Sequence, residues 1–269
     1  MGDPPGDIDL PALHDGGTGP PLLLLHAFPQ DASMWDHQVA ALRGRYRCLR
    51  PDAFGCGSSP PPPAGLTIEG WAAAVLAALD RVAAGRVAVA GASMGGYLAL
   101  ALLRAAPERL AGICLIGSRA GADGDGMRAD RVALAARLRS DGDRAVEDLA
   151  ESQPGRQLSR RSLDDFHISD PVRGRIRRCT PTGLAALAEL LARRPDSSAQ
   201  LSTIAVPTLV VAGAEDALVP MAQARAMATA IPAARFEVVE GCGHLVGLER
   251  PHLVSGLLEE WLGRLSWAA

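Results

Sequence analysis

Six short apolar runs, at Pro21–His26, Tyr46–Arg50, Arg86–Gly91, Leu110–Gly117, Pro207–Gly213 and Arg235–Glu240, recur along the chain, with helical patterns between them at 35–43, 67–83, 94–106, 221–230 and 251–264. Runs of this length that are apolar throughout, such as Pro21-Leu-Leu-Leu-Leu-His26, are strands buried on both faces. Strands alternating with helices imply right-handed βαβ crossovers, and so an α/β fold with a mainly parallel sheet flanked by helices. The rhythm fails once. From Ser118 to Leu201 no apolar β run occurs, and helical, Arg-rich stretches dominate. The expected organisation is therefore one α/β core, 1–117 and 202–269, interrupted by a helical cap at 118–201. A short strand or two is expected near Ile8–His14, within a Gly-, Pro- and Asp-rich opening. Pro107 falls just past one helical pattern and Pro251 opens another, positions that helix boundaries tolerate. Pro60–Pro63 is expected to be a short stiff loop.

One strand-to-helix junction carries chemistry. The strand Arg86–Gly91 runs straight into Gly91-Ala92-Ser93-Met94-Gly95-Gly96, which opens the next helical pattern. A G-x-S-x-G sequence in that context is a nucleophile elbow. Ser93 must sit on a sharp, strained turn, and side chains at 91 and 95 would collide with the neighbouring strand and helix. The helix start adds partial positive charge where an oxyanion would form. An ordinary Gly-rich βα turn is the plainer alternative. A dinucleotide-binding turn is not, because its G-x-G-x-x-G is broken by Ser93.

A serine hydroxyl needs a base to take its proton. Of the six histidines, His244 lies in a Gly-rich loop, Gly241-Cys242-Gly243-His244, just past a core strand. That is where open α/β sheets gather their ligands. His14, His37, His167 and His252 fall in terminal, helical or cap segments and are expected to be surface or structural. The strand Pro207–Gly213 likewise runs into Ala214-Glu215-Asp216, so Glu215 and Asp216 are both candidates to orient the base. The other site for an acid, after Gly117, holds Ser118-Arg119 and no carboxylate. His26-Ala27-Phe28-Pro29 follows the first strong strand. The Phe28 and Met94 backbone N–H groups are the expected oxyanion donors.

Composition removes other chemistries. All 27 basic residues are Arg; with no Lys there is no Schiff-base lysine and no P-loop lysine. Without Asn there is no N-linked glycosylation. A net charge of −3 gives no reason to expect a nucleic acid or a membrane as partner. Five scattered Cys without C-x-x-C spacing read as reduced thiols. The opening Met-Gly-Asp-Pro-Pro-Gly lacks the basic and apolar regions of a signal peptide, so a cytoplasmic protein is expected.

Taken together and in order, these motifs resemble the α/β-hydrolase superfamily over nearly the whole chain. They are a strand ending in His26-Ala27-Phe28-Pro29, Trp35, the stretch Pro51-Asp52-Ala53-Phe54-Gly55-Cys56-Gly57-Ser58, the elbow at Ser93, the loop Gly213…Asp216…Pro220, and Gly243-His244. Within it the chain is most similar to small capped carboxylesterases and 3-oxoadipate enol-lactonases. The resemblance implies a catalytic triad of Ser93, Asp216 and His244, an oxyanion hole of Phe28 and Met94, and neither metal nor organic cofactor. It favours Asp216 over Glu215. A serine at the elbow argues against the haloalkane dehalogenase and epoxide hydrolase branches, which use Asp. Two positions depart from the pattern. Ala27 replaces Gly, which is expected to tighten the oxyanion loop, and Cys56 replaces a bulkier residue, which is expected to leave room near the site.

The implied activity is hydrolysis of a small-molecule ester or lactone by a monomer or homodimer. The same triad serves C–C hydrolysis of a diketone and perhydrolysis, and a binding protein without catalysis is a third reading. Residues 156–178 carry seven Arg (156, 160, 161, 173, 175, 177 and 178) against Asp164, Asp165 and Asp170. Either this is a solvated face, or one or two of these arginines face the cleft and bind an acidic substrate.

Overall fold

The structure, a computed structural model, describes residues 10–267. Ile8 and Asp9, in the segment where a first strand is expected, lie outside them. The first strand described is β1 (Leu13–Gly16), followed by β2 (Pro21–Leu25), α1 (Asp36–Leu42), β3 (Arg47–Pro51), α2 (Ile68–Arg81), β4 (Val87–Ala92), α3 (Met94–Ala105) and β5 (Leu110–Ile116). A single 3-10 turn, Ala32–Trp35, leads into α1 and buries Trp35.

The strands form one sheet in the order β1-β3-β2-β4-β5-β6-β7. Its last two members are β6 (Thr208–Gly213) and β7 (Arg235–Val239), separated by α10 (Met221–Ala230). Only β1 runs antiparallel, against β3; every other pairing is parallel. The register sets Leu25 beside Gly91, Ala92 beside Ile116, and Ile116 beside Val211, so the strand ends β2, β4, β5 and β6 share one edge.

Burial follows the sequence pattern. Every residue of β4, β5 and β6 is buried, while β7, on the outside, is mostly half-buried and carries the ion pair Arg235–Glu237 at 2.7 Å. Charged residues on an outer strand discourage edge-to-edge association. Leu22 to Leu25 are buried; each such leucine contributes about 1.5–3 kcal/mol relative to exposure. In α2 the apolar positions Ile68, Trp71, Ala72, Val75 and Leu79 recur at helical spacing on the buried face, and Thr67 caps its start by accepting from Gly70 N. Helix α3 is buried from Met94 to Leu102 because it packs against β2, β4, β5 and α2.

Between β5 and β6 the described chain is helical: α4 (Asp125–Asp141), α5 (Asp143–Ser152), α6 (Pro154–Gln157), α7 (Arg160–Leu163), α8 (Phe166–Arg177) and α9 (Pro181–Arg193). Helix α4 packs along α9, and α8 against α5 and the 3-10 turn of the core. After β7 come α11 (Val246–Glu249) and α12 (Pro251–Leu262), the latter packed on α1. No helix of the described residues is long and apolar enough to cross a membrane.

Candidate active site

Ser93 stands between β4 and α3 with φ 49° and ψ −108°, a left-handed conformation that a residue with a side chain adopts at a cost of roughly 1–3 kcal/mol. The surroundings hold it there: its N–H donates to Ile116 O at 2.8 Å. The flanking glycines are steric necessities. A Cβ on Gly91 would run into the backbone of Gly95, and one on Gly95 into the backbone of Leu25. From Val87 to Leu102 every residue is buried except Ser93, which is half-buried. A turn that strains a serine in order to expose it from an otherwise closed strand and helix is the local geometry a nucleophile needs.

His244 reaches the same place from the loop after β7. Its Nδ1 lies 2.8 Å from Asp216 Oδ2, and the two side chains are 2% and 1% exposed. Asp216 follows β6, and its Oδ1 accepts from Leu218 N at 2.8 Å and Val219 N at 2.9 Å. One oxygen thus anchors the carboxylate to its own loop and the other faces the imidazole. An ionised carboxylate can only accept, so in a contact with such a carboxylate Nδ1 is the donor. Glu215, which the sequence leaves as an alternative, is exposed; Asp216 is the residue that meets His244. Ser93 and His244 line a common cavity of about 280 Å³.

Phe28 lines the same cavity and Met94 is buried at the first position of α3. The first N–H groups of a helix have no intrahelical acceptor, so the Met94 N–H is free to meet an anion. His26 belongs to the supporting structure. Its Nε2 accepts from Ala53 N at 2.8 Å and its Nδ1 donates to Ala27 O at 3.0 Å, tying the loop after β2 to the loop after β3. Burial lowers its pKa, which keeps the ring neutral in that role. His14, His37, His167 and His252 are exposed. Ala27 is wholly buried, with its N–H directed at Met34 Sδ at 3.2 Å. Cys56 is enclosed beside Cys179 and is not part of the cavity lining, so the small residue there opens no room in it.

All five cysteines are free and buried. Burial pushes the Cys48 thiol up to about 11 and the Cys242 thiol up to about 12, so neither is a thiolate nucleophile near neutrality. Among the described residues no three His, Cys, Asp or Glu side chains are grouped so as to hold a metal.

Two residues with no sequence signature hold the site together. Gln157, at the end of α6, accepts from His244 N at 2.7 Å through its carbonyl and donates from Nε2 to Phe28 O at 2.8 Å. It therefore touches both the histidine loop and the loop after β2. Glu249, 3% exposed in α11, accepts from Gly243 N through Oε1 and from Ser159 N through Oε2, both at 2.9 Å. In Glu249→Gln one acceptor becomes a donor facing an N–H. That change is expected to cost about 1–3 kcal/mol of stability, read as a lowered urea midpoint with the m-value unchanged.

The Arg-rich segment divides. Arg156 lines the cavity. Arg173 pairs with Asp170 at 3.1 Å, Arg177 with Glu147 at 2.5 Å and Arg178 with Asp31 at 2.7 Å, while Arg175 Nε donates to Ser33 Oγ at 3.1 Å. Arg160 and Arg161 are exposed. Most of this charge fastens helices to one another and to the core.

Comparison with known proteins agrees with the fold. A family model described as the alpha/beta hydrolase fold matches residues 20–251. The chain is 30% identical over 261 residues to a pimeloyl-[acyl-carrier protein] methyl ester esterase of Aromatoleum aromaticum, covering 90% of this chain and 97% of the relative. Among solved structures it resembles a thermophilic esterase from Thermogutta terrifontis described with malate bound, at 34% identity and a TM-score of 0.90 over 94% of this chain and 93% of that one. It also resembles an enol-lactonase from Burkholderia xenovorans, at 26% identity and a TM-score of 0.86 over 94% and 96%. With a parallel sheet in this order and a family match over most of its length, this chain belongs to the α/β-hydrolase family of enzymes.

Proposed function

We propose that the protein hydrolyses a small carboxylic ester or lactone through an acyl-enzyme on Ser93. The observation that carries this reading is the 2.8 Å contact between His244 Nδ1 and Asp216 Oδ2, in a cavity that Ser93 and His244 line together. Ser93 Oγ attacks the substrate carbonyl carbon while His244 Nε2 takes the hydroxyl proton. The oxyanion is met by the Met94 and Phe28 N–H groups. The tetrahedral intermediate collapses, the bond to the leaving oxygen breaks, and His244 returns the proton to that oxygen. Water, deprotonated by His244, then attacks the acyl carbon, and Ser93 leaves with the proton restored. Asp216 keeps Nδ1–H facing away from the serine and stabilises the imidazolium.

Residues 118–201 act as the cap that closes the cavity, since helices α4, α5, α6 and α9 supply much of its lining. A volume of about 280 Å³ is at the small end of ligand sites, which favours short acyl chains. The relatives named for ester and enol-lactone chemistry support the reaction class. Buried free thiols support a reducing, cytoplasmic setting.

The test is labelling with a fluorophosphonate and assay on p-nitrophenyl butyrate. A single phosphonyl adduct on the peptide containing Ser93, formed in step with loss of turnover, is the expected result. Turnover that survives complete labelling of Ser93, or an adduct on another residue, would sink the proposal.

A further inference from the structure

Outside the groups assigned above, one buried carboxylate draws an excess of positive charge. Asp123, whose side chain has no exposed surface, accepts from Arg119 Nη2 at 2.6 Å, from Arg194 Nη2 at 2.8 Å and from Arg131 Nε. Three guanidiniums around one carboxylate leave a surplus of two positive charges. The arginines come from separate elements: Arg119 follows β5, Arg131 lies in α4, and Arg194 follows α9.

Arg194 is committed to structure. Its side chain is 2% exposed, and its guanidinium lies over the Tyr97 ring at 3.9 Å. Arg119 and Arg131 differ, because both line the cavity that holds Ser93 and His244. Arg119 follows directly on Ser118, whose Oγ donates to Ser93 O at 3.1 Å. The Nε of Arg119 is buried and has no hydrogen-bond partner. Arg156 lines the same cavity and has no carboxylate partner among the described residues. Arg137 also reaches the lining, but is paired with Asp148 and Asp141. The acidic member of the lining is Asp130 alone.

A cluster serving structure alone would be expected to balance its charge and close on itself, since surplus buried charge is costly. Here two of the three guanidiniums, those of Arg119 and Arg131, belong to the lining of the cavity that Ser93 also lines. An anion placed there would neutralise the surplus, and planar guanidiniums suit carboxylates best because they can donate two parallel hydrogen bonds. We propose that Arg119, Arg131 and Arg156 form an anion subsite of this cavity, and that the ester or lactone opened at Ser93 carries a carboxylate of its own, as a monoester of a short dicarboxylic acid does. The second half of this statement rests on the proposed hydrolase reading; the first half stands on the arginines.

The test compares kcat/KM for monoethyl glutarate with that for ethyl 5-oxohexanoate, in which a methyl ketone replaces the carboxylate. Calorimetric binding of glutarate itself is measured alongside. The wild type is expected to favour the anionic ester at least tenfold, and that preference is expected to shrink at least tenfold in Arg156→Gln and in Arg131→Gln. Glutarate is expected to bind the wild type and to bind both variants more weakly, with binding weakened by added salt. Arg156 is outside the Asp123 cluster, so Arg156→Gln keeps the test available should loss of Arg131 unfold the protein. Turnover of both esters with no anionic preference, and no effect of Arg156→Gln on it, overturns the subsite and leaves the hydrolase reading intact. Turnover of neither ester overturns the hydrolase reading, and the glutarate titration then decides the subsite alone: Arg156-dependent binding upholds it, and no binding overturns it.

Discussion

Ser93→Ala is expected to lower kcat/KM for p-nitrophenyl butyrate by on the order of 10⁴- to 10⁶-fold, with His244→Ala of comparable size. That loss corresponds to about 5–8 kcal/mol of transition-state stabilisation. Its size follows from the arrangement. Without Oγ there is no covalent step; without the imidazole the hydroxyl keeps its proton and stays a weak nucleophile. Because the two side chains act as one device, the effects do not add, and the double variant is expected to be no slower than the worse single variant by more than a few-fold. Asp216→Asn tests the third member separately. Its amide can turn an N–H toward His244 Nδ1, which favours the tautomer with the hydrogen on Nε2, where it cannot accept from Ser93. Ser93→Ala is expected to keep the wild-type melting temperature to within a few degrees. It loses only a hydroxyl, and a methyl side chain is small enough for the same strained φ of 49°. Steady-state kinetics of the purified variants, with fluorophosphonate labelling as a check for residual wild type, measures this. Ser93→Ala activity within tenfold of wild type would place the nucleophile elsewhere.

What could be read from the sequence and what could not divide along physical lines. The strands at Val87–Ala92, Leu110–Ile116 and Thr208–Gly213 are legible because burial on both faces demands unbroken apolar residues. Ser93 is legible because only glycine fits at 91 and 95, so a steric requirement of the fold leaves a fixed mark on the sequence. Asp216 and Glu215 are not separable in that way. Adjacent residues on a loop point in different directions, and only the fold shows that one is buried against His244 while the other is exposed. The arginines of 156–178 are harder still. Arg156 in the cavity and Arg177 on Glu147 and Glu151 share a composition and differ only in what the packed helices bring near them. Glu249 and Gln157 leave no trace, because their partners are backbone groups, among them Ser159 N 90 residues from Glu249 and Phe28 O 129 residues from Gln157, and any sequence offers such groups.

Asp123→Asn is expected to destabilise the protein by about 3–5 kcal/mol, the cost of breaking a buried ion pair by removing one partner. For a chain of this size that is a fall in melting temperature of roughly 6–20 °C. The substitution keeps the side-chain outline, removes the charge and turns one accepting oxygen into a donor facing the guanidiniums. Arg119, Arg131 and Arg194 would be left facing one another around a neutral amide, with Arg194 almost entirely enclosed. The pH dependence distinguishes this account from a packing defect. Burial by itself raises the Asp123 carboxyl, but the charges of Arg131 and Arg194 and the hydrogen bonds of Arg131 and Arg119 outweigh it and hold the group below the usual carboxylate range. A carboxyl whose folded pKa is depressed adds stability above its unfolded pKa and loses that contribution as pH falls through the folded value. The stability difference between wild type and Asp123→Asn is therefore expected to be full at neutral pH and to narrow below about pH 4, where the unfolded aspartate begins to protonate. Urea unfolding of both proteins across that range measures the difference directly. A gap that stays constant with pH would assign the loss to shape and not to charge. A gap under 1 kcal/mol at neutral pH would mean that the three arginines are already neutralised by something other than Asp123.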